Sequence, residues 1–429
     1  MLVFKRLFKL KISDWLLIAF SVTMFFDGYC YFTWPTLKNS VVNVLSSYTR
    51  VITAILLLAY SIYKKVSKNN RSKLLITKKQ FMWEISALIL IVFLMAYGYI
   101  SIGGMVVFIV AIAFTLLNQE DKQRLFKYAL IFFCLIVLPS LIYFILDLIG
   151  INLPHSVLYS NQQRKFDIGW NYSRYFLGLI SREKNFGLVD RMSGIFDESG
   201  YVGTLAALFI AGGYKRVNNK WLIILFIEGL FSFSMAFYLM LVLFIIVRAY
   251  LDGAAKVAAV LLTISFLFYI FMNVSFELPA LQRIQSRIDF TSFFLVGNNR
   301  ETNSSKAVFD DFFHSSRLLI GYGHNAAASN PNIYGSFSYK MFIYDYGIVG
   351  LIFHAIYYAW NIIVNKYNKN MLPFIFVFIA CFYQRPYVFT EVYITIFMGA
   401  IAMQSTEDNG RKILREKHLN QGLLVRFMR

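Results

Sequence analysis

A chain dominated by long apolar runs with few charges has very few folds open to it, because about twenty such residues are enough to cross a bilayer as a helix. Here the runs are 15–34, 49–63, 82–99, 102–117, 128–149, 195–213, 221–233, 235–250, 255–274, 338–364, 371–384 and 390–403. They predict an all-α polytopic membrane protein with about 12 transmembrane helices. Composition agrees: 58% of the 429 residues are apolar, 15% are charged, and the mean hydropathy is +0.57. A water-soluble protein of this length has no core large enough to hide that much apolar surface. The run 221–250 is too long for one crossing, and Ser232-Phe-Ser-Met235 is where it should break.

Charge sets the sidedness. Basic residues cluster next to spans on the side that stays in the cytoplasm. With the N-terminus inside, 27 of the 42 Lys and Arg fall on short cytoplasmic segments, which places both termini there. The formal charge of +19 is then a topological signal and not a nucleic-acid footprint. Lys5, Arg6, Lys9 and Lys11 precede the first run, which shows no small-residue cleavage site before Trp34 and reads as an uncleaved signal anchor. Cys30, Cys134 and Cys381 lie apart in apolar stretches and read as core fillers, with neither disulfide nor metal spacing.

The chain divides into a five-span region 1–150, a large external loop 151–194, a four-span region 195–272, a second large external loop 273–337, a three-span region 338–403 and a basic tail 404–429. The two external loops carry eight Arg against three Lys. Arginine offers planar, bidentate hydrogen bonds to phosphate, so this excess points to anion recognition outside the membrane.

Two constellations carry candidate chemistry. The first is Asp190-Arg191-Met-Ser-Gly194-Ile-Phe-Asp197-Glu198-Ser-Gly200-Tyr-Val-Gly203, at the entry to the sixth span. Carboxylates and an arginine at a membrane rim are costly unless they face a wet cavity or one another. The second begins at Gly297-Asn-Asn-Arg300 and continues through an amphipathic stretch, 302–316, expected to lie at the membrane interface with Ala307, Val308, Phe312 and Phe313 on its apolar side. Gly321-Tyr-Gly-His324-Asn325 follows, and the tenth span then contains Asp345-Tyr-Gly347-Ile-Val-Gly350. His324 titrates near neutral pH and suits an acid or base role. Glu84 and Glu228, within spans, read as structural.

The order and sidedness of these elements (an Arg-x-x-Gly-x-Phe element, Phe231-Ser-Phe-Ser234, a loop arginine some twenty residues before Gly-x-Gly-His, then acid-x-Gly-Ile-Val-Gly) resemble the O-antigen polymerase and O-antigen ligase superfamily of bacterial polysaccharide assembly. The ligase branch usually carries a His-Asn pair where this chain has Ser336-Phe337, which favours the polymerase branch. The resemblance implies a multi-span glycosyltransferase of the GT-C-like type in the bacterial inner membrane, working without metal or cofactor. Its substrate would be an undecaprenyl-diphosphate-linked oligosaccharide, with a chain-length regulator and a flippase as partners besides membrane lipid, and no nucleic acid. In that reading Arg191, Arg300, Arg287 and Arg283 bind the diphosphate. His324, Glu198 and Asp197 are the catalytic candidates, in that order. Trp170, Tyr172, Tyr175, Asn325 and Tyr334 contact sugar. The alternatives are a ligase with the same chemistry, and, from a different class, a lipid-linked oligosaccharide flippase or secondary transporter.

Overall fold

The computed structural model describes residues 11–26, 30–33, 41–69, 77–151, 153–159, 170–183, 189–277, 279–286, 303–333 and 338–405. Among them the chain is mostly helical. The helices before the first large loop are α1 (Ile12–Thr23), α2 (Val41–Asn69), α3 (Lys78–Ala96), α4 (Ile102–Leu116) and α5 (Gln119–Leu148). Between the two large loops come α6 (Ser199–Gly213), α7 (Asn219–Phe231), α8 (Met235–Asp252) and α9 (Ala254–Asn273), followed by α10 (Pro279–Ser286) and α11 (Asn303–Phe313). The C-terminal helices are α12 (Tyr339–Val364), α13 (Leu372–Gln384) and α14 (Glu391–Gln404). Six of the helices are long and apolar enough to cross a membrane: α2 over Leu45–Ser67, α3, α5, α8, α9 and α12. Several others are shorter but equally apolar. The break expected near Ser232 is present, with Phe233 in a left-handed conformation (φ 45°) between α7 and α8.

α6 and α14 form the centre. Every residue of α14 is buried, and so is every residue of α6 except Gly200, as expected for helices apolar on all sides. They pack against each other, and α14 also packs on α5. Small residues allow the backbones to approach closely, since a Cβ on Gly212 would come within 2.6 Å of the Ala400 Cβ. At the other extreme, α9 packs on α8 and has no fully buried residue, so much of its apolar surface is exposed.

The first large loop is not loop. It folds into a four-stranded antiparallel meander of β1 (Ser156–Tyr159), β2 (Asn171–Tyr175), β3 (Gly178–Glu183) and β4 (Val189–Gly194), in that spatial order. The expectation of an all-α chain is corrected here. Four- to six-residue strands leave no trace in a span-length hydropathy window, although the hairpin Tyr175-Phe-Leu-Gly178 and its β-branched and aromatic flanks were legible at shorter range. The sheet sits on α5 just past Pro139. There Ser140 Oγ donates to the Leu179 carbonyl at 2.7 Å and accepts from the Gly194 N–H at 3.2 Å.

A further correction concerns the second loop. The amphipathic stretch is helical as expected, but its apolar side does not face lipid. Phe309 and Phe312 are buried in a second, smaller core with Ile333, Met341 and Tyr344, while Ala307 is exposed. Glu228, read as structural, is fully buried, and neither carboxyl oxygen has a hydrogen-bond partner among the described residues. Glu84 does pair with Lys65.

Packing at the α5–α14 contact generates a direct prediction. A Cβ on Gly399 would lie 2.5 Å from the Phe126 Cβ, so Gly399→Val should lower stability by about 1–3 kcal/mol through overpacking. Leu262→Ala on the outward face of α9 should change it by less than about 0.5 kcal/mol. Thermal unfolding of the solubilised protein distinguishes the two.

Candidate functional site

β4 delivers Arg191 to the end of the helical body where α6 begins. The strand ends at Gly194, Ile195 and Phe196 are buried against the N-terminal helices, and Asp197-Glu198 then leads into α6. Arg191 is deeply desolvated, and its guanidinium is pulled down to about 10 by that burial, against the opposing influence of Glu198. The same electrostatic neighbourhood includes Tyr238 of α8. Glu198 forms an ion pair with Arg385, which follows the last residue of α13. Arg385 lies over the Tyr201 ring at 5.6 Å, and its guanidinium would come within 3.0 Å of a Cβ on Gly200. The glycine there makes room for the arginine.

A second cluster is built around a break in α12. Gly347 interrupts the helix with φ 66° and ψ −175°, and the segment Leu319–His324 runs into the gap. Tyr322 N–H donates to the Tyr344 carbonyl at 2.9 Å, Gly323 N–H to the Asp345 carbonyl at 2.8 Å, and Val349 N–H to the Leu319 carbonyl at 3.0 Å. These bonds satisfy backbone groups that the break would otherwise leave bare in an apolar setting. A Cβ on either Gly321 (φ 70°) or Gly347 would strike the opposing backbone, which accounts for both glycines of the sequence motif. Asp345 anchors the loop: its carboxylate accepts from the Ala327 N–H at 2.7 Å and from Tyr387 Oη at 2.8 Å.

His324 sits on this platform. Its N–H donates to the Tyr97 carbonyl at 2.8 Å, its Nδ1 is hydrogen-bonded to Tyr346 Oη, and its ring meets Tyr99 edge-on at 4.3 Å. Burial lowers its pKa from the ordinary 6.5, so the imidazole is neutral at neutral pH. Tyr99 in turn is pushed up to about 12 by burial and by Glu391, which is ion-paired with Arg50.

The connector between α13 and α14 joins the clusters. Within seven residues it supplies Arg385 to Glu198, Tyr387 to Asp345 and Glu391 to Arg50. Consecutive Cα atoms are at most ~3.8 Å apart, so Arg385 and Tyr387 originate within about 7 Å of each other. Sequence reasoning missed Arg385, Tyr387, Glu391 and Arg50, and left Asp345 in a motif without a role. The available signal was a pair of charges, Arg385 just past the apolar run 371–384 and Glu391 at the start of the run 390–403.

The other expected site residues have different fates. Tyr172 is fully buried and donates its hydroxyl to the Asp197 carbonyl, so its ring offers no face to a sugar. Tyr175 is buried and stacks on Tyr143, with the same consequence. Asp197 is 2% exposed and lies behind Glu198. Trp170 is half-buried, its indole N–H donating to Ser181 Oγ at 2.6 Å. Asn325 is exposed, in the left-handed region (φ 62°), beside His324. Arg182, one of the external arginines, is satisfied by Asp190 at 2.6 Å and by Asp147 at 3.4 Å. Arg287, Arg300 and Tyr334 lie outside the described residues, as does the side chain of Arg283, whose backbone belongs to α10. α10 itself packs against β4, the strand of Arg191.

Comparison with protein-family models, with curated proteins and with solved structures finds no match for this chain.

Two predictions follow from the pairings. Arg385→Ala should cost about 2–4 kcal/mol by stranding Glu198, and Glu198→Gln in the same chain should restore part of it, since removing one partner of a largely buried pair is worse than removing both. For His324 the folded pKa lies below the unfolded 6.5, so the unfolded chain binds more protons at mildly acidic pH. The contribution is present above about pH 6.5 and is lost as the pH falls from there through the lower folded value. His324→Gln should therefore flatten the drop in melting temperature between about pH 7.5 and about pH 5. An unchanged slope would remove His324 as its source.

Proposed function

We propose that this chain is a polysaccharide polymerase. It joins lipid-diphosphate-linked oligosaccharide units by glycosyl transfer at the end of the helical body that carries the sheet. The observation that carries the reading is Arg191, a desolvated guanidinium on a strand at the rim, backed by the Glu198–Arg385 pair and sharing its end of the body with a neutral, partly open His324.

The six long apolar helices, with α1, α4, α6, α7, α13 and α14, make twelve crossings in this proposal, a GT-C-like arrangement. Short central helices such as α6 and α14 are shielded by protein on all sides, so their length need not match the hydrocarbon thickness. The site end is then the external face, because the strongly basic connectors lie at the opposite end.

The chemistry would run as a displacement at the anomeric carbon. The acceptor hydroxyl oxygen forms the new C–O bond while the bond from that carbon to the lipid diphosphate breaks, and the electron pair leaves on the diphosphate. A fixed guanidinium in a low-dielectric setting stabilises that developing charge more than it stabilises the intact donor. Arg191 occupies that position, and Arg300, Arg287 and Arg283 are its sequence-level companions. The acceptor proton goes to a base. In the tautomer whose Nδ1–H donates to Tyr346, the lone pair of His324 Nε2 is available for it. Glu198 is committed to Arg385 and Asp197 is buried, which ranks His324 first.

Ligation to a lipid acceptor uses the same donor chemistry and is separated by its product. In cells making the polymer, Arg191→Ala and Arg300→Ala should each cut chain extension by about 10²-fold or more while membrane insertion stays normal. Arg191→Lys should be nearly as damaging, because a point charge does not replace the guanidinium fork. Full-length polymer ladders in the Arg191 variants would refute the diphosphate clamp.

A further inference from the structure

The β2–β3 hairpin breaks the ordinary rules for a turn of its kind. Tyr175 pairs with Gly178, so Phe176 and Leu177 form a two-residue tip, where hairpins ordinarily place Asn, Asp or Gly. Leu177 nonetheless holds the left-handed region (φ 56°), which bulky side chains rarely adopt. Both tip residues also lie open, Phe176 at 79% exposure and Leu177 at 40%. A choice that goes against turn chemistry and leaves apolar surface bare is expected where that surface serves a contact.

The helix beside the hairpin gives its depth. α5 carries no charge between Lys127 and Asp147, a stretch of about 30 Å that matches the hydrocarbon thickness of a bilayer. Asp147 therefore stands at the boundary on the sheet side, and Arg182 of β3 meets it there at 3.4 Å. At the other end of β3, Gly178 lies against Ser140: a Cβ on that glycine would be 3.1 Å from the Ser140 Cα. From Ser140 to Asp147 the helix rises about 10 Å, and from Gly178 to Arg182 the strand rises about 13 Å. The two lengths agree, so β3 climbs alongside α5 and the tip lies about 10 Å inside the boundary. Backbone at this depth is provided for, since Ser140 Oγ donates to the Leu179 carbonyl at 2.7 Å. At the same height α5 itself is open through Ile142 and Ile145.

We propose that this hairpin is a membrane anchor, with Phe176 and Leu177 seated among the acyl chains of the leaflet on the sheet side. Apolar faces of interfacial elements reach about 5–10 Å into the same layer. A protein partner would have to enter the hydrocarbon beside an open stretch of α5, so lipid is the occupant that the depth selects. β4 pairs Arg191 opposite Ser181, next to Arg182, and the anchor thereby holds that strand at the boundary. The inference needs α5 to cross a bilayer and needs nothing of the glycosyl transfer.

The test uses the full chain in phosphatidylcholine liposomes, with a nitroxide on Phe176→Cys or, as reference, on Tyr159→Cys, which the strand register places level with Arg182. The wild type labelled in parallel corrects for Cys30, Cys134 and Cys381, all buried. The label at 176 should favour collision with oxygen over a water-soluble nickel chelate about tenfold more than the label at 159, because hydrocarbon excludes the polar chelate. Equal preference at the two positions would overturn the anchor. Protection of the 176 label from both reagents would overturn it too, by showing the tip docked on protein, such as a second copy of the chain. Further variants separate an anchor from a plain turn. Phe176→Asn with Leu177→Gly supplies better turn residues, yet it should lower the melting temperature in liposomes by about 2–4 °C. Phe176→Trp, which suits the membrane interface, should not lower it. An unchanged or higher melting temperature in the double variant would overturn the anchor.

Discussion

Charges at the edge of an apolar body must be paired or wetted, and in this chain one short connector ties three distant segments together by such pairing. Arg385 and Tyr387 lie between α13 and α14, and Glu391 opens α14, yet they reach the entry of α6, the broken α12 and the rim of α2. Coulomb attraction is strong where water is scarce, and so is the penalty for an orphaned charge. The connector thus holds three separately folded segments of the rim in one arrangement. Arg191 neighbours Glu198 electrostatically, and His324 lies on the loop that Asp345 anchors.

The same requirement explains the broken helix. An interrupted α12 exposes carbonyls and N–H groups in a setting without water, and the Leu319–His324 segment supplies their partners. In return the break gives the loop a fixed floor. A histidine on a free loop would sample many directions; His324 is tied by its own N–H, by its Nδ1 and by a ring contact. Local irregularity of this sort persists where the surrounding structure over-determines it. The two glycines that permit it were visible in the sequence, but only the paired geometry explains why both are needed.

Hydropathy made the helical body legible because long apolar runs have one outcome in lipid. The α13 and α14 limits differ from the apolar runs by about one residue, and the turn at Ser232–Ser234 stands where two serines interrupt the run. Of the sheet over Ser156–Gly194 only the Tyr175–Gly178 hairpin was legible, because strands this short are shaped by what they rest on, here the far half of α5. The site was half legible. Arg191, Glu198, His324 and Asn325 stood out as polar residues in glycine-rich motifs. Their partners are far away in sequence: Arg385 is 187 residues from Glu198, and no local pattern marks such a pair. Tyr172 shows the opposite error. Aromatic content suggested a sugar platform, whereas burial and its bond to the Asp197 carbonyl make it a brace beneath the motif.

Glycosyl transfer by this chain itself is the central claim, and it separates the reading from a transporter that would move the same lipid. The most direct measurement incubates the purified protein, in liposomes and without other enzymes, with an undecaprenyl-diphosphate-linked oligosaccharide, and follows the products by mass. The account predicts a ladder rising by whole repeat units with release of undecaprenyl diphosphate. Movement of intact, unextended lipid-linked units across the bilayer, with no new glycosidic bond, would contradict it.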